Sequence, residues 1–354
     1  MKYFICEGDT IDGKYNATSK AREDVETILK EMSFEPKVVP TINCVQKNKF
    51  KKILQYLGYI KNFLIWNKSI KKFNSKDVVI MQYPIIYTSF FFNNIIKKLN
   101  KKGVKTIAII HDLESIRLIE EKGLRKARAV YEDKKVLKEF NKVLSHNKKM
   151  TNELIKYGVN KKNIVNLEVF DYLYDQSIDM KKRNYKFPVV IAGNLSSEKA
   201  FYLKELCEVN NVTFNLYGKG IDFDLPKNLN YVGCFLPSEV PQALIGSFGL
   251  VWDGKSINDI TGAYGNYMKY NNPHKISLYL ASELPVIVSS KSALADFVIK
   301  NNIGITVSSL KELNTIIDSI DKKEYENMLK NVKNISKKIR NGYFLTHGIK
   351  KMVE

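Results

Sequence analysis

The alternation of apolar segments with amphipathic segments along the whole chain constrains the fold more than any other feature of this sequence. Runs such as Val78–Gln82 and Val104–Ile110 are mostly apolar, as expected for strands that are buried on both faces. Segments such as Thr18–Met32 instead repeat apolar residues at helical spacing. Strands of this type between helices predict an α/β protein whose parallel sheets are covered by helices on both faces.

The alternation restarts after the charged stretch Asp175–Lys186, which we predict to be a linker. The chain has 354 residues, a length that agrees with two domains. We therefore predict an N-terminal Rossmann-like domain over residues 1–175 and a C-terminal one over residues 176–340, each with a doubly wound sheet. Ligands bind beyond the carboxyl ends of the strands in such sheets, so the informative residues should directly follow strands.

The chain carries a formal net charge of +20 at pH 7, from 57 basic and 37 acidic residues. Such a charge favours an anionic partner, such as a nucleotide, a nucleic acid or a membrane surface. A Lys- and Asn-rich composition along the whole chain explains much of the charge equally well. No RRM, KH, zinc-finger or helix-turn-helix signature is visible, so nucleic acid is the weaker alternative and we expect no nucleic-acid partner.

Four cysteines are dispersed along the chain without the spacing of metal ligands: Cys6, Cys44, Cys207 and Cys234. We expect no zinc site and reduced cysteines in the core of a cytosolic protein. The first residues lack the pattern of a signal peptide, and the most apolar stretch is interrupted by polar residues, so we expect no membrane-spanning helix. The acidic pattern at Asp222 and Asp224 lies in a polar turn, and we interpret it as a solvated loop, not as a metal site.

Two segments that follow predicted strands have the composition of a phosphate site. Gly193-Asn194 ends one strand and precedes a helix that contains Lys199. Glycine lets the backbone approach a phosphate, and the helix N-terminus supplies N–H groups and a positive dipole end. The alternative is an ordinary strand–turn–helix connection. The sequence has neither GxGxxG nor GxxxxGK[ST], so neither a standard dinucleotide fold nor a P-loop is supported.

The second segment begins at Asp253-Gly254 and continues as a long glycine-rich stretch to His274-Lys275. We predict that this stretch is a functional loop, because loops of such length in compact domains usually carry function. Its end places His274 and Lys275 in the first turn of a helix, a geometry that suits a diphosphate. The alternative is a flexible surface insertion.

His111 and Asp112 directly follow the strand Val104–Ile110. An imidazole and a carboxylate at this edge can hydrogen-bond sugar hydroxyls or move a proton. The alternative is that Asp112 caps the next helix. Glu7 and Asp9 also follow a predicted strand and are reserve candidates for a base.

The segment Lys47–Phe73 repeats apolar residues at helical spacing among lysines, and it contains Trp66. A basic amphipathic helix of this kind suits an anionic membrane surface. A helix that packs its apolar face on the sheet and leaves its lysines in water is an equal alternative, and both can hold together.

The chain also resembles a known family through motifs that occur in a fixed order. These are YNATSKA at residues 15–21, then IIHDLESIR, SHNKKM, LEVFDYL, AGNL, FGLVWDG and YGNYMKYNNPHKISLYLASELPVIV. Over nearly its whole length the chain is similar to GT-B glycosyltransferases, and more narrowly to bacterial galactofuranosyltransferases and the related glucosyltransferase 3 group. The WDG and NNPHK stretches are the most specific part.

The resemblance implies two Rossmann-like domains that face a central cleft, with the last helix, residues 341–354, crossing back onto the N-terminal domain. It implies a UDP-sugar donor held by the C-terminal domain. The implied donor-binding residues are Gly193, Asn194, Lys199, Tyr217, Asp253, Gly254, His274 and Lys275. The implied acceptor-binding residues are Gly8, Asn16 and Thr18, beside His111 and Asp112 as the catalytic candidates.

The implied function is transfer of a hexose, galactofuranose before glucose, from a UDP-sugar to a lipid-linked or protein-linked glycan of the cell surface. Lys199 and Lys275 would stabilise the diphosphate leaving group without a metal or cofactor. If the reaction inverts, Asp112 or His111 would take the acceptor proton; the sequence does not decide the stereochemistry. The expected location is the cytoplasm or the inner face of the cell membrane, and a homo-oligomer stays open. The rivals are a catalytically silent GT-B module that binds a partner and a basic nucleic-acid-binding protein.

Overall fold

The computed structural model describes residues 1–8, 17–40, 52–85 and 91–354. These residues form two compact units. The first contains the described residues among 1–8, 25–167 and 345–354, and the second contains residues 17–24 and 168–344. Each unit is built on a six-stranded parallel sheet, so the predicted α/β class with two doubly wound sheets is confirmed.

The sheet of the first unit has the strand order β2-β1-β3-β4-β5-β6, and every neighbouring pair is parallel. Its strands are β1 (Lys2–Gly8), β2 (Glu35–Pro40), β3 (Val78–Tyr83), β4 (Lys105–Ile110), β5 (Lys142–Ser145) and β6 (Ile164–Asn166). All residues of β3 and β4 after the first are buried, which explains why these strands are apolar on both faces.

The sheet of the second unit has the order β12-β11-β10-β7-β8-β9, again with parallel neighbours. Its strands are β7 (Val189–Asn194), β8 (Phe214–Lys219), β9 (Leu229–Gly233), β10 (Gly249–Val251), β11 (Val286–Ser289) and β12 (Gly304–Val307). The chain builds outward from β7 to one edge and from β10 to the other. The direction in which successive strands are added therefore reverses between β7 and β10. The loops that leave these two strands diverge at this point.

Helices connect the strands in both halves of the chain. In the N-terminal half they are α1 (Ala17–Glu31), α2 (Lys52–Ser69), α3 (Phe92–Lys101), α4 (Glu114–Arg117), α5 (Leu124–Leu137) and α6 (Lys148–Lys156). In the C-terminal half they are α7 (Ser197–Ala200), α8 (Val240–Ala243), α9 (Gly262–Met268), α10 (His274–Ala281), α11 (Ala295–Asn301), α12 (Leu313–Ser319), α13 (Lys322–Arg340) and α14 (Tyr343–Val353).

The stretch between residues 251 and 275 is not a continuous loop, because it contains α9. The prediction of one continuous glycine-rich loop was therefore wrong, and the alternative of a flexible insertion overlooked that its glycines pack closely. A Cβ atom on Gly265 would lie 2.6 Å from the Ile260 carbonyl carbon and 2.8 Å from the Asp253 carbonyl oxygen. Glycine is therefore required here by close backbone approach within a folded segment.

The expectation that the cysteines are core residues was also wrong in part. Cys207 and Cys234 are exposed and Cys6 is half-buried, while Cys44 lies outside the described residues. Trp66, for which the sequence left a membrane-facing and a sheet-facing position open, is fully buried. Its ring packs edge-on against Phe92 with the ring centroids 4.9 Å apart.

Helix α10 is anchored to the end of β7 by a tyrosine that the sequence did not single out. The Tyr279 hydroxyl accepts a hydrogen bond of 2.7 Å from the backbone N–H of Ala192. Its ring crosses β10 at Gly249, where a Cβ atom would lie 2.2 Å from the ring. The small residue on β10 thus allows α10 to satisfy a buried amide of β7 and fixes the helix beside both strands.

We predict that Tyr279→Phe destabilises the second unit, because the buried Ala192 N–H loses its partner at a cost of about 1–3 kcal/mol. Thermal unfolding and amide hydrogen exchange at Ala192 measure the effect. Tyr231→Phe is the matched control: that exposed hydroxyl donates to the Gly218 carbonyl at 3.0 Å, and its loss should be nearly neutral. Equal stability of the two variants would contradict the proposed anchor.

Candidate functional site

The carboxyl ends of β7 and β10 bring together three charged side chains from separate parts of the sequence. Lys275, in the first turn of α10, donates to Asp253 Oδ1 at 2.7 Å and to the Trp252 carbonyl at 3.2 Å. Lys199, at the start of the β7 connection, places its Nζ 3.8 Å from Asp253 Oδ2. We call Lys199, Asp253 and Lys275 the lysine–aspartate cluster. It lies where the strand order of the sheet reverses, the position at which open α/β sheets bind ligands.

The cluster carries a net positive charge, because one carboxylate lies between two ammonium groups. The side chains of Asp253 and Lys275 are only 8% and 12% exposed. Burial lowers the pKa of the Lys275 ammonium below its usual value and the charge of Lys199 adds to this, although the Asp253 carboxylate raises it. Asp253 therefore opposes the effect of burial on the Lys275 pKa and holds this lysine in place, while Lys199 adds a second basic side chain at the same carboxylate.

The amino-terminal end of α10 adds to this positive region. The residue before the helix is Pro273, and no side chain in the described residues caps this end. The first N–H groups of a helix have no partner within the helix and carry the positive end of its dipole. Lys275 is the second residue of α10, so its ammonium and the helix end act on the same region.

Two glycines permit the backbone path around the cluster. Gly193 has φ +123°, and a Cβ atom there would lie 3.3 Å from Lys275 Cε. Gly254 has φ +124°, and a Cβ atom there would lie 2.2 Å from the Thr261 carbonyl oxygen. The Gly254 N–H donates to the Lys199 carbonyl at 3.0 Å, which ties the β10 loop to the β7 loop. Both glycines were sequence candidates, and both have steric reasons to be glycine.

Asn194 and Tyr217 do not join the cluster in the structure. The Asn194 side chain accepts from the Ser196 N–H at 2.9 Å and organises the turn that leads to α7. The Tyr217 ring is buried, and its hydroxyl accepts from the Ile245 N–H at 3.0 Å. Asp222 accepts hydrogen bonds from the Ser197 N–H and hydroxyl. In the described residues no group of three or more His, Cys, Asp or Glu side chains is arranged to hold a metal.

His274 lies beside the cluster in a different environment. Its ring packs against Phe170 and Tyr172, with centroids 6.0 and 5.4 Å away. Burial lowers the pKa of His274 to about 4, the nearby charge of Lys20 lowers it further, and a hydrogen bond to the Asp171 backbone opposes the shift. A neutral His274 can hydrogen-bond, since its Nε2 is buried without a partner in the described part of the chain, but it adds no positive charge.

In the first unit, His111 and Asp112 follow β4 as predicted from the sequence. The His111 Nε2 lies 2.7 Å from Oε1 of Gln82, a buried residue of β3, and the His111 N–H donates to the Tyr83 carbonyl at 2.7 Å. Because an amide oxygen only accepts, this contact requires a proton on Nε2. Asp112 lies 3.6 Å from Arg117. Gln82 was missed, although a polar residue inside an apolar strand was a signal for it.

A buried polar network supports the loop that carries these residues. Asp133 of α5 accepts from the Tyr83 hydroxyl at 2.6 Å and from the Ser115 N–H at 2.9 Å. Tyr157 donates to the Ser115 hydroxyl at 2.8 Å. Ser115 belongs to α4, three residues after Asp112, so the network fixes the chain just beyond the candidate pair. Nothing in the sequence pattern distinguished Asp133 from the other charged residues of its helix.

The acceptor candidates are only partly described. Gly8 is the last residue of β1 and Thr18 belongs to the first turn of α1, whereas Asn16 and the reserve candidate Asp9 lie outside the described residues. Glu7, the other reserve candidate, lies within β1. A helix long and apolar enough to cross a bilayer is not found among the described residues.

Comparison with known proteins gives consistent matches in both halves. The family model described as glucosyltransferase 3-like, C-terminal domain, matches residues 189–352, and the N-terminal model matches residues 2–169. The beta-1,6-galactofuranosyltransferase WbbI of Escherichia coli is 34% identical over 289 residues, which cover 79% of this chain and 80% of that protein. Glucosyltransferase 3 of Streptococcus gordonii is 25% identical over 270 residues, which cover 76% of each.

Solved structures match over the full length. The lipopolysaccharide outer core galactosyltransferase WaaB, in its apo form, superposes with a TM-score of 0.60 at 11% identity and covers 99% of both chains. HepE of Anabaena, solved in complex with UDP, has a TM-score of 0.58 at 13% identity and covers 99% of this chain and 98% of its own. Identity at this level carries the fold alone, and it confirms the predicted GT-B fold of two Rossmann-like domains.

We predict that His274 titrates near pH 4 instead of its usual 6.5. The unfolded chain then binds a proton at this residue more tightly than the folded protein does. The free energy of unfolding should therefore fall by about 3 kcal/mol, from this residue, as the pH falls from 6.5 towards 4. Proton NMR titration of the histidines measures the pKa, and His274→Gln assigns the signal. Thermal unfolding of His274→Gln should depend less on pH over this range. A His274 pKa near 6.5 would contradict the burial argument.

Proposed function

Because this chain belongs to the glucosyltransferase 3-like family, we propose that it is a glycosyltransferase that moves a hexose from a UDP-sugar to a sugar acceptor. Galactofuranose is the first choice and glucose the second, since the relative at 34% identity is a galactofuranosyltransferase and the relative at 25% is a glucosyltransferase. We further propose that no metal or cofactor takes part.

The observation that carries this proposal is the lysine–aspartate cluster at the carboxyl ends of β7 and β10. A nucleoside diphosphate leaving group develops negative charge as the glycosidic bond breaks. Fixed positive partners in a water-poor site stabilise that charge without reorganising during the reaction. Lys275 is nearly buried and held by Asp253, and Lys199 lies on the other side of the carboxylate. The uncapped end of α10 adds a third positive element to the same region.

The proposed reaction transfers the donor sugar by substitution at its anomeric carbon. Its bond to the diphosphate oxygen breaks, and the electron pair leaves with UDP. A bond forms to the acceptor hydroxyl oxygen, whose proton must be removed. For an inverting transfer we assign this proton to Asp112 or His111, which directly follow β4.

We propose that residues around Gly8, Asn16 and Thr18 bind the acceptor, a lipid-linked or protein-linked glycan of the cell surface. Gly8 ends β1, next to the place where the strand order of the first sheet reverses, between β1 and β3. This is the ligand-binding position of such a sheet. An acceptor of this kind is assembled in the cytoplasm or at the inner face of the membrane, which is our proposed location.

The first test is donor binding. UDP and its sugars should raise the thermal midpoint of the wild-type protein, because ligand at about 100 times its Kd stabilises the folded state by about 2.7 kcal/mol. In Lys275→Ala this ligand-induced shift should disappear. Lys199→Ala, whose side chain is 29% exposed, is the milder variant and should reduce the shift if Lys275→Ala does not fold.

The matched control is Lys291→Ala. Lys291 also pairs with an aspartate of the second unit, Asp259, at 2.6 Å, but on the surface. Its shift with UDP should equal that of the wild type. No shift with UDP or any UDP-sugar would contradict the donor assignment, and a shift without sugar transfer to any acceptor would favour a catalytically silent module.

The second test concerns proton removal. Asp112→Asn and His111→Gln should lower kcat while the UDP-induced thermal shift remains, and for the true base the loss should be about 10²–10⁴-fold. Glu114→Gln is the control, since Glu114 contacts the same Arg117 at 2.7 Å. If all three variants keep full kcat, neither His111 nor Asp112 is the base.

A further inference from the structure

The outward face of α2 exposes an unusual row of apolar side chains. Leu54, Leu57, Ile60 and Leu64 are 54, 48, 51 and 61% exposed. Their spacing of three or four residues places them along one side of the helix. The opposite side contains the buried Trp66 and packs on the first unit. The helix therefore buries one apolar side within the protein and leaves a second one in solvent.

This exposed side is also basic. Lys61 and Lys68 are exposed among the leucines, and α2 contains no acidic residue. Neither lysine forms an ion pair with any of the described residues. The following 3₁₀ helix adds Lys71 and Lys72, both exposed. The positive charge of this surface is therefore not neutralised by an ion pair within the described part of the chain.

Neighbouring elements extend the same combination of apolar and basic groups. Phe91, which precedes α3, is 54% exposed, and its ring lies 5.7 Å from that of Phe63 in α2. Lys98 of α3 lies 5.8 Å from the Phe63 ring. Phe91 is thus an exposed aromatic ring next to α2, and amphipathic surfaces that enter the headgroup region of a bilayer contain such rings among leucines and lysines.

We propose that the exposed face of α2 binds the surface of an anionic phospholipid bilayer. Leu54, Leu57, Ile60 and Leu64 enter the boundary between headgroups and acyl chains, and the lysines contact the phosphates. Charge complementarity selects this occupant: a second copy of the chain would place lysines against lysines, whereas anionic lipids neutralise them. The helix lies along the bilayer and does not cross it, since only one side is available to lipid. The inference gives a structural basis to the proposed location and does not require catalytic activity.

Sedimentation with lipid vesicles tests this assignment on the full chain. Vesicles that contain phosphatidylglycerol should bind the protein more strongly than vesicles of phosphatidylcholine alone. Leu57→Glu/Leu64→Glu should lower the partition coefficient at least tenfold. Lys61→Ala/Lys68→Ala should lower it about 25-fold, because each lysine near an anionic surface contributes about fivefold.

The matched control is Ile299→Glu, since Ile299 of α11 is also 61% exposed but lies in the second unit. Its partition coefficient should equal that of the wild type. Equal binding to both lipids, or binding unchanged by the leucine and lysine substitutions, would overturn the proposal. If the protein self-associates without lipid, and Leu57→Glu/Leu64→Glu abolishes this self-association, a second copy of the chain covers this face instead. The UDP-induced thermal shift of each variant, measured in parallel, separates failure of this proposal from failure of the proposed function.

Discussion

The ion pair between Lys275 and Asp253 is the interaction on which the second unit's site depends. It is 2.7 Å long, and both side chains are nearly buried. Burying two charges is costly, and removal of one partner from such a pair typically costs about 3–5 kcal/mol, because the other charge is left without compensation. Apolar residues of the same volume would serve stability equally well or better. The second lysine, Lys199, at the same carboxylate gives this position an excess of basic side chains, and a diphosphate is the ligand that we propose for it.

The rest of the second unit holds this pair in place. Gly193 gives the Lys275 side chain room to pass, and the Tyr279 hydroxyl joins α10 to β7. The bond from the Gly254 N–H to the Lys199 carbonyl links the two loops that diverge from the sheet. The pair thus depends on the reversal of strand order between β7 and β10, which places both loops at one end of the sheet. In the first unit, Gln82 and Asp133 position His111 and α4 by direct hydrogen bonds in the same manner.

Much of this arrangement follows from local sequence patterns. Continuous apolar strands predict both parallel sheets. Their position directly after strands identifies Asp253 and His111 as candidates, because ligands bind at the carboxyl ends of strands. The first turn of the helix after the glycine-rich stretch identifies Lys275. Contacts between distant segments cannot be predicted in this way. Gln82 and Tyr279 matter through partners far away in the sequence, and Gly265 suggests flexibility until its neighbours are known. His274 lies beside Lys275 in the sequence, but its neutral, buried ring depends on Phe170 and Tyr172 from a preceding segment.

The most direct test of this account is a crystal structure of the chain with UDP bound. We predict diphosphate density at the amino-terminal end of α10, with phosphate oxygens within hydrogen-bond distance of the Lys275 ammonium and Lys199 on the same side. Density for UDP at any other place, with the lysine–aspartate cluster unliganded, would contradict it.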